Sequence, residues 1–190
     1  MIDFIDRLDI DYDRFELYDN DFSVVSDVHG VSHVFNVMYN VLLIGYRLDD
    51  IRNTKISFCA AYIHDLSRTH DGDCEIHGYV TVRDNFDKYE RLFIDSGLTK
   101  DDLDCVKIAS INHSVSIELN IGDSCCKPTY ILKDADALDR IRFDDLDVSY
   151  LRFGESKNIV SLSEKLYYDN FSKKYSNFGH FLRNNINNIH

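Results

Sequence analysis

The chain has 190 residues, 44% of them apolar, and a formal charge of −12. That length suits one domain with a sizeable core, and the charge disfavours attraction to a nucleic-acid polymer or an anionic membrane. The first fifteen residues alternate acids with apolar side chains and lack the basic start and apolar stretch of a signal peptide. No run approaches the ~18 consecutive apolar residues of a membrane span. The expected compartment is the cytoplasm.

The first strong helical pattern is HVFNVMYNVLLIGYRL, where Val34, Val37, Met38, Val41, Leu42 and Gly45 recur at three and four residues. His33 stands at the N-terminal edge of that stripe. His29 is one helical turn earlier, a spacing that permits a local metal pair, but SDVHG with Gly30 places His29 ahead of the helix. The next apolar run, ISFCAAYIHDL, is again helical and carries His64 and Asp65 at its C-terminal end. A polar stretch from Ser67 to Gly78 reads as a loop beside them, with Asp71 and Asp73 solvating it.

A third helix follows in VTVRDNFDKYERLF, with Val82, Phe86, Tyr89 and Phe93 on one face and Gly97 as its stop. Thr99 and Asp102 form a capping-box pattern that opens a helix ending near His113. Pro128 suits the first turn of the helix TYILKDADALDRIRF. The pattern SLSEKLYYDNFSKKYSNFGHFL is mostly helical, and the Asn-rich tail is expected to fray. Alternating strands and hairpin dipeptides are missing, so the expected fold is all α, a single helical-bundle domain over 1–190. Aromatic side chains at helical spacing read as core rather than as a base-stacking platform.

The five cysteines include the adjacent pair Cys125 and Cys126, a poor geometry for an ordinary disulfide, and Cys59 and Cys105 fall in apolar helical patterns. All five read as reduced thiols. Without a CxxC pair, zinc-ribbon and thioredoxin-type readings have no support.

His33, His64, Asp65, His113 and Asp136 are each embedded in an apolar helical run. Imidazoles and carboxylates on buried faces need compensation, and a shared divalent ion with ligands from separate helices supplies it for all of them. Singly, each has a structural reading: a hydrogen-bonded core histidine for His33, a buried helix-end pair for His64 and Asp65, a helix-dipole partner for His113, and a helix cap for His77. His70, His180 and His190 show no convergent context and are expected to be exposed.

These residues resemble the HD superfamily of metal-dependent phosphohydrolases over roughly Asp27 to Arg152, through HGVSHVFNV, AAYIHDLSR, EIHG, IASINHS and ILKDADALDRIR. Carried over residue by residue, the resemblance implies His33, His64, Asp65 and Asp136 as metal ligands. Asp136 fits the Ala-Asp-x-Leu context, with Asp134 as its competitor. His77 and His113 resemble the extra histidines that hold a second ion in some HD enzymes, with Asp65 as the bridge. Asn112-His113-Ser114 departs from the cyclic-dinucleotide-cleaving HD-GYP branch, and that branch's substrate is not implied.

The implied cofactor is one or two divalent transition metal ions, among Mn, Fe, Co, Ni and Zn. The implied reaction is hydrolysis of a phosphomonoester or phosphodiester in a small phosphorylated substrate such as a nucleotide. Asp65 is the candidate proton acceptor, and His113 or His77 the donor to the leaving group if not itself a ligand. Arg68, Lys133 and Arg140 are candidate phosphate clamps, with Arg142 nearby; Arg140 could instead orient Asp136, and all four also suit surface ion pairs. Two other readings stay open: a di-iron HD-fold oxygenase, against which Leu66-Ser67-Arg68 stands where such enzymes place another His, and a non-catalytic ligand-sensing domain.

Overall fold

The computed structural model describes residues 1–186, and the last residues of the Asn-rich tail, His190 among them, lie outside the described residues. The described chain is all α. Its nine helices are α1 (Ile2–Leu8), α2 (Val31–Leu48), α3 (Ile51–Ile63), α4 (His77–Asp95), α5 (Lys100–Asn112), α6 (Cys126–Leu138), α7 (Gly154–Lys157), α8 (Val160–Asn170) and α9 (Phe178–Asn185). Among the described residues the one β feature is an isolated bridge between Glu16 and Asn177.

The central helix is α2, whose residues from His33 to Gly45 are all buried. A helix buried on every face is a core helix, and the polar His33, Asn36 and Asn40 are enclosed with its apolar residues. It packs on α3 and α6; α3 packs in turn on α5 and α6, and α4 lies along α5. The connection from α2 to α3 is very short, with Asp49 left-handed at φ 46° and the Asp50 carboxylate accepting from Asn53 N at 3.1 Å. Such a turn makes the two helices antiparallel, so the start of α2 and the end of α3 lie at the same end of the bundle.

The chain returns to that end at the start of α4 and again at the end of α5. The Thr99–Asp102 capping box opens α5 as expected, and Gly97, at φ +87°, supplies the left-handed turn between α4 and α5. Gly78 permits the closest approach of these two helices, since a Cβ there would sit 2.1 Å from the Ser110 carbonyl oxygen. Gly78→Ala is therefore expected to force α4 from α5 beside His77 and His113, at about 1–3 kcal/mol for overpacking. Thermal unfolding would show a Tm lower by roughly 2–12 °C, at about 2–4 °C per kcal/mol for a chain of this size; an unchanged Tm would mean that the helices separate freely.

The N-terminal segment and α9 close the core over α3 with aromatic edges. Phe15 meets Phe58 at 5.0 Å, Phe58 meets Phe178 at 5.1 Å, and Tyr62 meets Tyr89 at 5.0 Å, all edge-on. The Tyr62 hydroxyl donates to the Glu16 carbonyl. Eleven aromatic residues are buried in the core as their spacing implies and Tyr12, Phe22, Phe153 and Tyr175 pack against it, while Tyr18, Tyr46, Tyr79, Phe143, Tyr150, Tyr168 and Phe171 stay exposed. The C-terminal helical pattern is divided by an irregular segment between α8 and α9. No helix among the described residues is long and apolar enough to cross a membrane.

The expectation of five reduced thiols is corrected: Cys105 and Cys125 form a disulfide, with Cα atoms 4.8 Å apart, and Cys59, Cys74 and Cys126 are free. Adjacency of Cys125 to Cys126 concealed the real partner, which α5–α6 packing brings from 20 positions away.

Candidate metal centre

His33 enters from the first turns of α2, His64 and Asp65 directly follow α3, His77 opens α4, His113 caps α5, and Asp136 lies in the last turn of α6. All are at one end of the bundle and, except for Asp136, are almost fully buried; the Asp136 side chain is 30% exposed.

Three of the histidines are held in the same way. The Nδ1–H of His64 donates to the Ala61 carbonyl at 2.7 Å, that of His77 to Cys74 at 2.5 Å, and that of His113 to Ser110 at 2.7 Å. A carbonyl only accepts, so Nδ1 carries the proton and Nε2 is the atom presented inward. His33 differs, with Nδ1 2.7 Å from the Asp139 carboxylate.

The inward Nε2 atoms converge. His33 Nε2 is 3.2 Å from His64 Nε2, 3.3 Å from Asp65 Oδ2 and 3.4 Å from Asp136 Oδ1. His77 Nε2 is 2.8 Å from His113 Nε2, and these two lie 2.9 and 3.5 Å from Asp65 Oδ1. Two bare imidazole lone pairs repel at such distances unless a proton or a cation lies between them. Asp65 Oδ1 is also buried without a well-formed hydrogen bond, and a buried carboxylate oxygen in that condition is costly. Both features fit a divalent ion.

Asp65 divides the cluster into two half-sites. Its Oδ2 faces His29, His33 and His64, while its Oδ1 faces His77, His113 and Arg68. Donor atoms of His33, His64 and Asp136, and likewise of His64, Asp65 and His113, lie within 4.8 Å of one another. These are donor sets that could hold a metal ion, with the mixed imidazole and carboxylate chemistry suited to first-row divalent ions.

The electrostatics favour the metal-binding form of His64, Asp65 and Asp136, whereas His33 is raised, its hydrogen bonds to Asp139 and Asp65 outweighing burial and Arg142. Burial drives the His64 pKa down to about 3, which keeps that imidazole neutral. Burial alone would raise Asp65, but His64, His113, His29 and His33 outweigh it and hold the carboxyl well below its ordinary value. Asp136 is lowered too, His33 and His64 overcoming its burial. Neutral imidazole and ionised carboxylate are the metal-binding forms.

No family model, curated protein or solved structure matches the chain. The geometry is what distinguishes the candidate residues. Asp136 meets His33, whereas its competitor Asp134 is fully buried elsewhere, accepting from the backbone N–H groups of Arg152 and Phe153 at 2.9 and 3.0 Å. His77 is the first residue of α4 but does not cap it: Ile76 stands at the cap with no side-chain hydrogen bond, and the His77 ring lies between the Cys74 carbonyl and Asp65.

Two expected phosphate clamps are corrected. Lys133 is buried and donates to the Val115 and Ile117 carbonyls at 2.9 and 3.0 Å, strapping down the segment after α5. Arg140 is exposed and pairs with Asp145 rather than with Asp136, because the chain tightens into a 3-10 turn over Asp139–Phe143 after α6. Arg68 does border the centre, 3.6 Å from Asp65 Oδ1, with its other arm on the Gly72 carbonyl at 2.8 Å. His70 and His180 are exposed as expected.

Sequence reasoning missed Asp139 and Asn36, and it set aside His29. His29 does precede α2, yet its Nδ1 is 3.0 Å from Asp65 Oδ2. Spacing carried a signal in each case: His29 and Asn36 are four before and three after His33, and Asp139 is three after Asp136.

Proposed function

We propose that the chain is a divalent-metal phosphohydrolase of the HD type, acting on a small phosphoester such as a nucleotide. The observation that supports this reading best is Asp65, a buried carboxylate whose two oxygens face two separate sets of imidazoles. A divalent ion there supplies Lewis acidity, polarising a phosphoryl oxygen and acidifying bound water.

The residues around the ligands have complementary work. An opening bordered by Phe22, Val24, His29, Arg68 and Asp71 reaches Asp65. Arg68 is placed to take a phosphoryl oxygen, and Phe22 and Val24 give the leaving group an apolar side. His113 and His77 have their Nδ1 protons committed to carbonyls and their Nε2 atoms turned inward, which suits ligands better than proton donors. The donor role passes to His29 at the opening, where Asp65 holds Nδ1 and leaves Nε2 as the donating atom.

The direct test is phosphate release from a panel of phosphorylated metabolites with Mn, Fe, Co, Ni or Zn, together with elemental analysis of the purified chain. Metal-dependent release is the expected result. Nucleotide binding without release under any ion would replace the proposal with a ligand-sensing domain. The donors His33, His64, Asp65, His77, His113 and Asp136 also suit a di-iron centre, against which Leu66-Ser67-Arg68 still stands, and iron-dependent oxygen consumption without phosphate release would favour that reading. Arg68→Ala is expected to raise KM for anionic substrates about tenfold, the loss of one charge-assisted hydrogen bond. Steady-state kinetics identical to the parent would return Arg68 to a structural role.

A further inference from the structure

Of the four histidines turned into the centre, three give Nδ1–H to a carbonyl three residues earlier in their own segment. His33 alone is backed by a carboxylate, and that carboxylate comes from 106 positions away. Asp139 is buried, with a side chain 2% exposed. Both of its oxygens are engaged: Oδ2 accepts from Arg142 Nη1 at 3.0 Å and faces His33 Nδ1, and Oδ1 accepts from Asn36 Nδ2 at 3.0 Å.

Burying a carboxylate this deeply is unfavourable unless its partners need it as an anion. Arg142 supplies the countercharge, stacked over the Phe143 ring at 4.4 Å. Asn36 lies one turn beyond His33 on α2, so one carboxylate fixes the imidazole and the helix that carries it. An anionic partner makes an imidazole a stronger electron donor than a carbonyl partner does, and such outer partners typically change metal affinity by ~10–100-fold.

The geometry points to Asp139 as a positioning residue that makes the half-site of His33, His64, Asp65 and Asp136 the tighter of two unequal metal sites. This inference rests on the metal reading above. The half-site of His77 and His113, backed only by carbonyls, then fills second.

Titration of the whole chain with Mn2+ alone, in competition with a chelating dye, tests the ranking. Two classes of site are expected in the parent. Asp139→Ala should weaken the tight class about 10–100-fold and leave the weak class unchanged, while His113→Ala should remove the weak class only. Asp139→Asn preserves volume and one acceptor oxygen, and Asn36 can turn its unpartnered Oδ1 toward the new amide; it should recover part of the lost affinity. It also serves if the alanine variant does not fold, with a loss of at least about threefold expected.

A second readout needs no metal. Nitrogen-15 spectra of the histidine rings at alkaline pH should show His33 as the Nδ1–H tautomer in the parent and in Asp139→Asn, and as a mixture in Asp139→Ala. Unchanged Mn2+ affinities in Asp139→Ala, equal weakening of both classes, or an unaltered His33 tautomer would each overturn the inference. A parent chain that binds no divalent ion would overturn the metal reading itself, and the tautomer spectra would still decide whether Asp139 orients His33.

Discussion

Asp65→Ala is expected to empty both half-sites together and to lower kcat/KM for phosphoester hydrolysis by at least ~10³-fold, on the order of 4 kcal/mol of transition-state stabilisation. The reason is the bridge. His64 lies within reach of both donor sets, but Asp65 alone offers a separate oxygen to each side: Oδ2 lies 3.3 Å from His33 Nε2 and Oδ1 lies 2.9 Å from His77 Nε2. Without it the remaining donors are imidazoles and one partly exposed carboxylate, too little negative charge to hold two divalent ions close together.

The fold should survive the substitution. Asp65 follows the last turn of α3 and is not part of the hydrophobic core cluster. Circular dichroism close to that of the parent, combined with loss of bound metal by elemental analysis, is the expected pair of results. Asp65→Asn separates charge from shape and should behave almost as the alanine variant does. Turnover and metal content equal to the parent in either variant would refute the assignment of the centre.

Addition of a saturating divalent ion to metal-free protein is expected to raise Tm by roughly 5–10 °C. At a free ion concentration near 100 Kd, linkage gives about 2.7 kcal/mol. For a chain of this size each kcal/mol shifts Tm by about 2–4 °C. The gain should depend on pH with a definite sign. Burial and Arg142 push His33 down, but its hydrogen bonds to Asp139 and Asp65 outweigh them and raise its pKa above the ordinary value.

In metal-free protein a raised histidine contributes stability below its unfolded pKa, and that contribution is lost as pH rises through the folded value. A metal ion competes with that same proton, so its stabilisation grows over the same interval. Curves of Tm against pH, with and without metal, should therefore diverge as pH rises above the ordinary histidine range and converge below it. On the acid side, the lowered Asp65 and Asp136 contribute above the ordinary aspartate value and lose that contribution as pH falls through their depressed values. A constant offset at every pH would show that the ion binds elsewhere.

Much of this was legible in the order of residues. Apolar recurrence at three and four positions located the helices from α2 to α6, and the Thr99 capping box and Gly97 marked their ends, because such signals are local to a few turns of chain. The same periodicity placed His33, His64, Asp65, His113 and Asp136 on buried faces near helix ends, which is why a shared cation was inferable at all. Tertiary structure alone decided the partners. It joined Asp139 to His33 across 106 positions and Cys105 to Cys125 across 20. It gave His29 to Asp65, and it took Lys133 and Arg140 away from the centre by offering them loop carbonyls and Asp145. A periodic pattern reports which face of a helix leaves water, and the identity of the group that meets it depends on how helices distant in sequence cross.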